Sequence, residues 1–236
     1  MSTDDKWVMR GPRESDPACL KSAGEVSDYI DAVGFLPLFK NSVRGFSVEE
    51  HVPSAWWWTD DPQRDPWLWR MQLASSKRFW YGKLFDHCAG FVSKKWIPCF
   101  ANLRRDGYDF DSRVDEGLVR PIDRDIMRLF AEQSQLTLSD IKSGAAVKTG
   151  LEGALSRLQA QGYLCVRDFR QRVNKQGLPY GWHVSVFTEP ESVWGQEYVT
   201  SRYQSSAADC LNEMLQSALR FFPDTDEAAL TRLLKG

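Results

Sequence analysis

The clearest structural pattern in the chain lies in residues 149–187, TGLEGALSRLQAQGYLCVRDFRQRVNKQGLPYGWHVSVF. Thr149 and Glu152 have the spacing of a capping box, and three leucines then recur at the interval of one helical face. Gly162 is placed to end that helix. Two stretches rich in β-branched and aromatic residues follow, separated by a basic and turn-rich segment, which predicts a β-hairpin. The segment therefore predicts a helix followed by two antiparallel strands.

Two further helices are predicted immediately upstream of this segment. Ile122, Ile126, Leu129 and Phe130 follow the spacing of an amphipathic helix, and residues 136–141 support a second, shorter one. Three helices followed by a hairpin are the order of a winged helix-turn-helix. We therefore expect a winged-helix domain over residues 118–195.

The remainder of the chain predicts an α+β fold in which a Trp-rich N-terminal unit, residues 22–117, packs with the winged helix. Residues 1–21 are expected to be a flexible lead-in, and residues 196–236 a helical tail. The N-terminal unit should contain a helix that Gly34 ends, a buried extended segment after it, and a second helix capped at Asp65.

The same N-terminal unit should contain a hairpin and a polar connection. Residues 78–93 predict a hairpin with a longish turn over residues 86–90, because aromatic and β-branched residues flank a turn-forming segment. Residues 102–111 are polar and charged and include Asp106-Gly107, so they are expected to form a loop.

Composition places the chain among ordinary globular proteins, with an uneven distribution of charge. At 236 residues and 42% hydrophobic content it is long enough for one large or two small domains. The formal net charge of −2 argues against a protein that coats nucleic acid or membranes through bulk positive charge. Residues 142–175, however, contain seven cations and two anions, a net charge of +5 that could neutralise phosphates.

The sequence predicts a cytoplasmic protein without a cofactor or a metal. Five widely spaced cysteines include no Cys-x-x-Cys pair, no apolar run is long enough to span a membrane, and the start of the chain is acidic. His87, Cys88 and Cys99 fit no closed zinc pattern. Glycine-rich phosphate loops and the Gly-x-Ser-x-Gly elbow of serine hydrolases are also absent from the sequence.

Tryptophan is the unusual component of the composition. Seven of the ten tryptophans lie between Trp56 and Trp96, beginning with the run Trp56, Trp57 and Trp58 beside several aspartates. Most of the others sit in apolar stretches and are expected in the core. Three adjacent rings cannot all face one core, so the exposed member of the run is a candidate for an aromatic contact.

Several segments together resemble the AlkZ-related proteins of bacteria. They are Gly34 to Phe39, Gly45 to His51, Asp65-Pro66-Trp67-Leu68-Trp69-Arg70, Arg104 to Asp111, Val166-Arg167-Asp168-Phe169-Arg170-Gln171-Arg172 and Pro179-Tyr180-Gly181-Trp182. The resemblance covers roughly residues 22–195. It implies kinship with the AlkZ-type DNA glycosylases, winged-helix proteins in which a Gln-x-Gln or Gln-x-Asp pair positions the attacking water.

The resemblance gives two candidates for the catalytic pair, Gln159 and Gln161 near the end of the third helix. The segment Val166-Arg167-Asp168 lies closer to the position at which the family carries its catalytic pair, but it contains no glutamine. Two helical residues spaced by two point about 200° apart. The alternative is that both glutamines are ordinary residues of the helix surface.

The sequence is compatible with three functions. The first is a nucleic-acid-binding protein of DNA repair with duplex DNA as its partner, in which Arg170, Arg172 and Lys175 contact phosphates. In that reading Ser156, Arg157 and Gln159 lie on the outward face of the third helix, near bases. The second is a DNA glycosylase acting on alkylated or crosslinked bases. The third is a non-enzymatic interaction module that stacks a planar ligand, base or partner side chain on its Trp-rich surface.

Overall fold

The computed structural model describes residues 9–174 and 176–236, which form a mixed fold of helices and one antiparallel sheet. The helices, in chain order, are α1 (Ala23–Val33), α2 (Pro66–Ser75), α3 (Ile97–Arg105), α4 (Phe110–Asp115), α5 (Pro121–Glu132), α6 (Leu138–Gly144), α7 (Leu151–Ala160), α8 (Pro190–Trp194), α9 (Gln196–Thr200), α10 (Ala207–Leu219) and α11 (Glu227–Lys235). The strands are β1 (Phe35–Pro37), β2 (Phe79–Phe85), β3 (Cys88–Ser93), β4 (Leu136–Thr137), β5 (Cys165–Val173) and β6 (Pro179–Thr188). The predicted α+β class is confirmed.

The six strands form a single sheet in the order β1-β3-β2-β5-β6-β4. Its first three strands come from the N-terminal half of the chain and its last three from the C-terminal half. One residue pair, Tyr81 with Val166, joins the two sets. The short strand β4 pairs with β6 at the far edge. This arrangement brings α2 and α7, which belong to different halves, close to the middle of the sheet.

The start of the fold agrees with the sequence pattern. Ser22 caps α1 by accepting a hydrogen bond from the Glu25 backbone N–H, and Gly34 ends the helix with a φ of 103°. A positive φ of this size is strained for any residue with a side chain, so the glycine is a local requirement for the helix end. The proline-containing segment that follows is a buried edge strand, as predicted.

Two N-terminal predictions need correction. The β2–β3 turn is a tight one, because only Asp86 and His87, both with positive φ, separate the strands. Residues 102–111 are not a single loop: Asn102 lies in α3 and is buried. Its side chain can be buried without an unsatisfied polar group because the amide donates hydrogen bonds to the Arg202 and Ser205 carbonyl oxygens, 2.8 and 2.9 Å away.

The C-terminal half contains the predicted helices, but Leu136 and Thr137, predicted to open the second of them, form β4, and α6 begins at Leu138. Thr137 and Asp140 form a capping box at α6. At α7, by contrast, Gly150 is the N-cap residue and no side chain caps the helix, so the capping box predicted at Thr149 is wrong. Gly162 follows α7 with a φ of 79°, in keeping with its predicted role as a helix stop.

The C-terminal tail packs against the N-terminal half. In α10, buried Cys210, Met214 and Ala218 line one face, which packs on α3, and α11 buries Leu230 and Leu234. The amphipathic stripe of the tail is therefore covered. Among the described residues, no helix is long and apolar enough to cross a membrane.

Candidate nucleic-acid interface

The β5–β6 hairpin carries exposed cations on one of its faces. Arg170 and Arg172 alternate with partly buried residues along β5, and both are exposed. Within the described part of the chain neither arginine forms an ion pair. Neither guanidinium is therefore held by a close carboxylate, although hydrogen bonds from Thr137 and the positive charge of Arg170 lower the pKa of Asp140. Lys175, the third predicted phosphate contact, lies outside the described residues.

Large apolar side chains accompany these arginines on the outer part of the hairpin. Tyr180 lies opposite Arg172 across the two strands. Tyr180 and Trp182 are 51% and 66% exposed, and Val173 and Leu178 near the tip are exposed as well. Leaving apolar area of this size in water is unfavourable, and such exposed groups mark interaction sites. Cations interleaved with aromatic and aliphatic side chains are typical of nucleic-acid contact surfaces.

The tip of the hairpin is held in a defined turn by Asn174. Its Oδ1 accepts hydrogen bonds from the backbone N–H groups of Gln176 and Leu178, at 2.9 and 3.0 Å. Its own backbone N–H donates to the Leu178 carbonyl at 2.9 Å. An Asx-type turn of this kind fixes the ends of both strands. The exposed side chains are thus presented by an ordered element.

Arg157 on α7 is engaged within the protein. Its guanidinium donates to both carboxylate oxygens of Asp123 on α5, Nε to Oδ2 at 2.8 Å and Nη2 to Oδ1 at 2.5 Å. The Asp123 side chain is only 4% exposed. The hydrogen bonds to that carboxylate raise the pKa of Arg157. A base contact by Arg157 would leave a buried carboxylate without its partner.

Gln159 does not lie on the outward face of α7, and that expectation is wrong. Its side chain is 3% exposed, because Oε1 accepts from the Lys83 backbone N–H on β2 at 3.1 Å and Nε2 donates to the Leu155 carbonyl at 2.9 Å. Gly82 permits this close approach, since a Cβ at that position would lie 3.1 Å from Gln159 Oε1. Gln159 therefore joins α7 to the sheet.

Ser156 and Gln161 occupy the edges of the α7 surface. The Ser156 hydroxyl donates to the Glu152 carbonyl and accepts from Lys83 Nζ at 3.0 Å. Gln161 is partly exposed at the C-terminal end of the helix. The structure does not bring Gln159 and Gln161 together at a cavity, as neither lines the two cavities described below.

The three adjacent tryptophans, Trp56, Trp57 and Trp58, differ in their exposure to solvent. Trp56 and Trp57 are buried, whereas Trp58 is 39% exposed, which confirms that the three rings do not share one core. Trp56 packs edge-on against Trp69 of α2. Trp57 lies 6.0 Å from Trp58, measured between ring centroids. Trp58 is thus the outer end of an aromatic cluster.

The buried carboxylate of Asp65 holds this cluster against α2. It accepts three backbone hydrogen bonds, from Trp58 at 3.1 Å, Asp60 at 3.1 Å and Trp67 at 2.8 Å. Trp58 and Asp60 have φ near 60°, the left-handed conformation that residues with side chains rarely adopt. One carboxylate therefore caps α2 and supports the strained turn that precedes it.

A cleft of about 360 Å³ separates α2 from the hairpin. The N-terminal wall includes Trp67 and Arg70, and the hairpin wall includes Gln171 and Trp182. The guanidinium of Arg70 lies between two rings, with Cζ 3.5 Å from the Trp67 centroid and 4.4 Å from that of Phe169. Burial lowers the pKa of Arg70.

A second cavity, of about 420 Å³, lies between α4, α5 and α8. Arg105 and Glu189 line it. Burial raises the pKa of the Glu189 carboxyl, and the negative charge of Glu191 raises it further. Arg105 is bound to Glu191 and to the Gly162 carbonyl. Much of the local positive charge is therefore already compensated.

The sequence did not single out the residues of the cleft, although it contained one signal for them. Trp67, Arg70, Gln171 and Trp182 all belong to segments that carry the family resemblance, and those segments meet only in the folded chain. Among the described residues, no group of three histidine, cysteine or acidic side chains is placed to hold a metal ion.

Comparisons with known proteins give one solved structure and one family. No curated protein matches the chain. The DNA glycosylase AlkZ of Streptomyces sahachiroi shares 14% sequence identity over 86% of this chain, with a TM-score of 0.43. The match covers 53% of that chain, so the present chain spans about half the length of the glycosylase. The family model described as AlkZ related matches residues 20–235, and the chain therefore belongs to the AlkZ-related family.

Proposed function

We propose that the chain is a winged-helix DNA-binding protein that acts in DNA repair. The order α5, β4, α6, α7, β5, β6, with β4 and β5 both paired to β6, supports the winged-helix assignment. The proposed domains are the Trp-rich unit of residues 22–117, the winged helix of residues 118–195 and the tail of residues 196–236. Membership of the AlkZ-related family favours repair as the setting.

One observation carries the proposal: the hairpin exposes unpaired arginines beside large apolar side chains. Arg170 and Arg172 have the charge and reach to contact phosphates. Leu178 and Val173 at the tip are of the kind that insert between base steps or pack in a groove. The wing is thus the element best equipped to contact duplex DNA.

The third helix is poorly equipped to read a base sequence. Arg157 pairs with Asp123, Gln159 is enclosed against β2, and Glu152 places a negative charge on the exposed face. Few side chains remain there to form hydrogen bonds with base edges. The proposed binding therefore depends on phosphate and shape contacts, and it should discriminate weakly between sequences.

The two alternatives differ in the support they receive. Enclosure of Gln159 gives no support to a glycosylase that uses Gln159 and Gln161 to position water. The cleft beside Trp67 favours the third alternative, stacking of a planar group, which is compatible with DNA binding.

Titration of a fluorescently labelled 20-base-pair duplex tests the proposal. Measured by fluorescence anisotropy between 50 and 200 mM salt, the dissociation constant should rise steeply with salt, because bound phosphates release counterions. Two unrelated sequences should bind with similar affinity. Absence of binding at 50 mM salt, or a Kd that does not change with salt, would refute it.

A further inference from the structure

The cleft between α2 and the hairpin has the dimensions and walls of a site for one planar ring system. Its volume of about 360 Å³ is at the small end of ligand pockets. Each side contributes an indole, Trp67 from α2 and Trp182 from β6. Trp182 is the most exposed of the large apolar side chains in the described chain, so a ring stacked on it would remove that area from water.

Arg70 supplies an incompletely satisfied cation at the wall of the cleft. Arg70 is 6% exposed, yet within the described chain its Nε has no hydrogen-bond partner and no carboxylate lies at ion-pair distance. The guanidinium donates one hydrogen bond to the hydroxyl oxygen of Tyr81. Rings cover both faces of the group, so the edge of the guanidinium is what remains for a ligand. Electron-rich ring atoms would complete its environment.

Acceptors on the opposite walls complement this cation. Gln171 Nε2 donates to the carbonyl oxygens of Tyr180 and Gly181, both at 3.1 Å, which orients the amide and leaves Oε1 as an acceptor. The carboxylate of Asp60 also lines the cleft. A ligand that fits must therefore be planar and carry both ring acceptors and an amino donor. Those are the features of a nucleobase, whereas a phosphate would be repelled by Asp60.

We propose that this cleft receives one unpaired nucleobase from a duplex bound by the hairpin, with Trp182 stacking on it, the stacked Trp67 and Arg70 side chains forming the α2 wall and Gln171 at its edge. The inference rests on the proposed function, since the hairpin must first hold the DNA. Gln171 neighbours Arg172 in β5 and Trp182 lies two residues from Tyr180 in β6, so the cleft and the proposed phosphate contacts belong to the same hairpin. Binding of a base that is already unpaired does not require the free energy that is needed to extrude a paired base from the duplex.

The test compares two labelled 21-base-pair duplexes that are identical except for one bulged adenine. Wild-type protein should bind the bulged duplex roughly tenfold more tightly, in line with the contribution of one stacked base. In Trp182→Ala the ratio of the two dissociation constants should fall towards one. Tyr180→Ala is the matched control, because Tyr180 is an exposed aromatic residue of the same hairpin that does not line the cleft. It should keep the ratio, and thermal unfolding checks that both variants fold.

Each outcome decides between the two proposals. Equal affinity of the wild type for both duplexes would overturn the cleft assignment and leave DNA binding by the hairpin in place. A Trp182→Ala variant that weakens both duplexes equally and keeps the tenfold ratio would also overturn it, because Trp182 would then act only as a duplex contact. Absence of binding to either duplex would refute the proposed function and the cleft assignment together.

Discussion

Replacing Arg157 by alanine distinguishes an internal role of this residue from a contact to DNA. The substitution leaves the Asp123 carboxylate, whose side chain is 4% exposed, without its two hydrogen bonds from the guanidinium. Breaking a buried ion pair by removing one partner costs about 3–5 kcal/mol. For a chain of this length each kcal/mol lowers the Tm by about 2–4 °C. The expected loss is therefore roughly 10 °C.

The assay is thermal unfolding of Arg157→Ala, Asp123→Ala and the double variant, followed by circular dichroism. The double variant should lose less than the sum of the single changes, because removal of both charges leaves neither one buried alone. Arg157→Lys is the matched control: it keeps a cation but loses the bidentate geometry, so it should fall between the wild type and Arg157→Ala.

The same variants are then titrated with duplex DNA under conditions in which they are folded. Affinity should change little in Arg157→Ala, since the hairpin arginines are untouched. An unchanged Tm together with a large loss of DNA affinity would refute the assignment of Arg157 to the core, and would return it to the base-contact role that the sequence suggested.

Two further predictions concern the carboxylates of Asp65, which is buried, and Glu189, which is partly buried. Asp65→Ala removes three backbone hydrogen bonds and should lower the free energy of unfolding by about 3 kcal/mol. Asp65→Asn keeps one acceptor oxygen and should lower it less. Chemical denaturation of both variants measures the difference, and equal losses of stability would contradict the role of the second oxygen. Glu189→Gln should stabilise the protein at pH 7–8, because folding raises the pKa of Glu189 and the folded state therefore disfavours the ionised carboxylate. The gain should shrink as the pH falls and disappear at about pH 3, where the carboxyl is protonated in both states. A gain that persists undiminished at about pH 3 would exclude that explanation.

Most of the helices and strands could be predicted from local signals in the chain. Gly34 and Gly162 end helices because each adopts a positive φ, and Asp65 caps α2 through its own side chain. Such features depend on a few neighbouring residues and can be read without tertiary contacts. The predicted loop over residues 102–111 failed because Asn102 and Arg105 are satisfied by carbonyl groups that lie more than 50 residues away in the chain.

The candidate site was less predictable because it depends on how the halves of the chain meet. Gln159 appears polar and outward-facing on a helical projection, yet β2 covers it through a hydrogen bond to Lys83, 76 residues away. Trp67 and Trp182 line one cleft although 115 positions separate them. Charge patterning located the basic segment, but only the fold distinguishes Arg157, which is paired, from Arg170 and Arg172, which are not.

The salt dependence of duplex binding by Arg170→Ala/Arg172→Ala tests the central claim most directly. If each arginine neutralises one phosphate, the slope of log Kd against log salt concentration should fall by about 1.8 relative to the wild type. Arg44→Ala/Arg220→Ala, which removes two exposed arginines outside the hairpin, is the control of equal net charge and should leave the slope unchanged. A hairpin variant with the wild-type slope, or a control variant with an equal loss, would contradict binding of DNA by the hairpin.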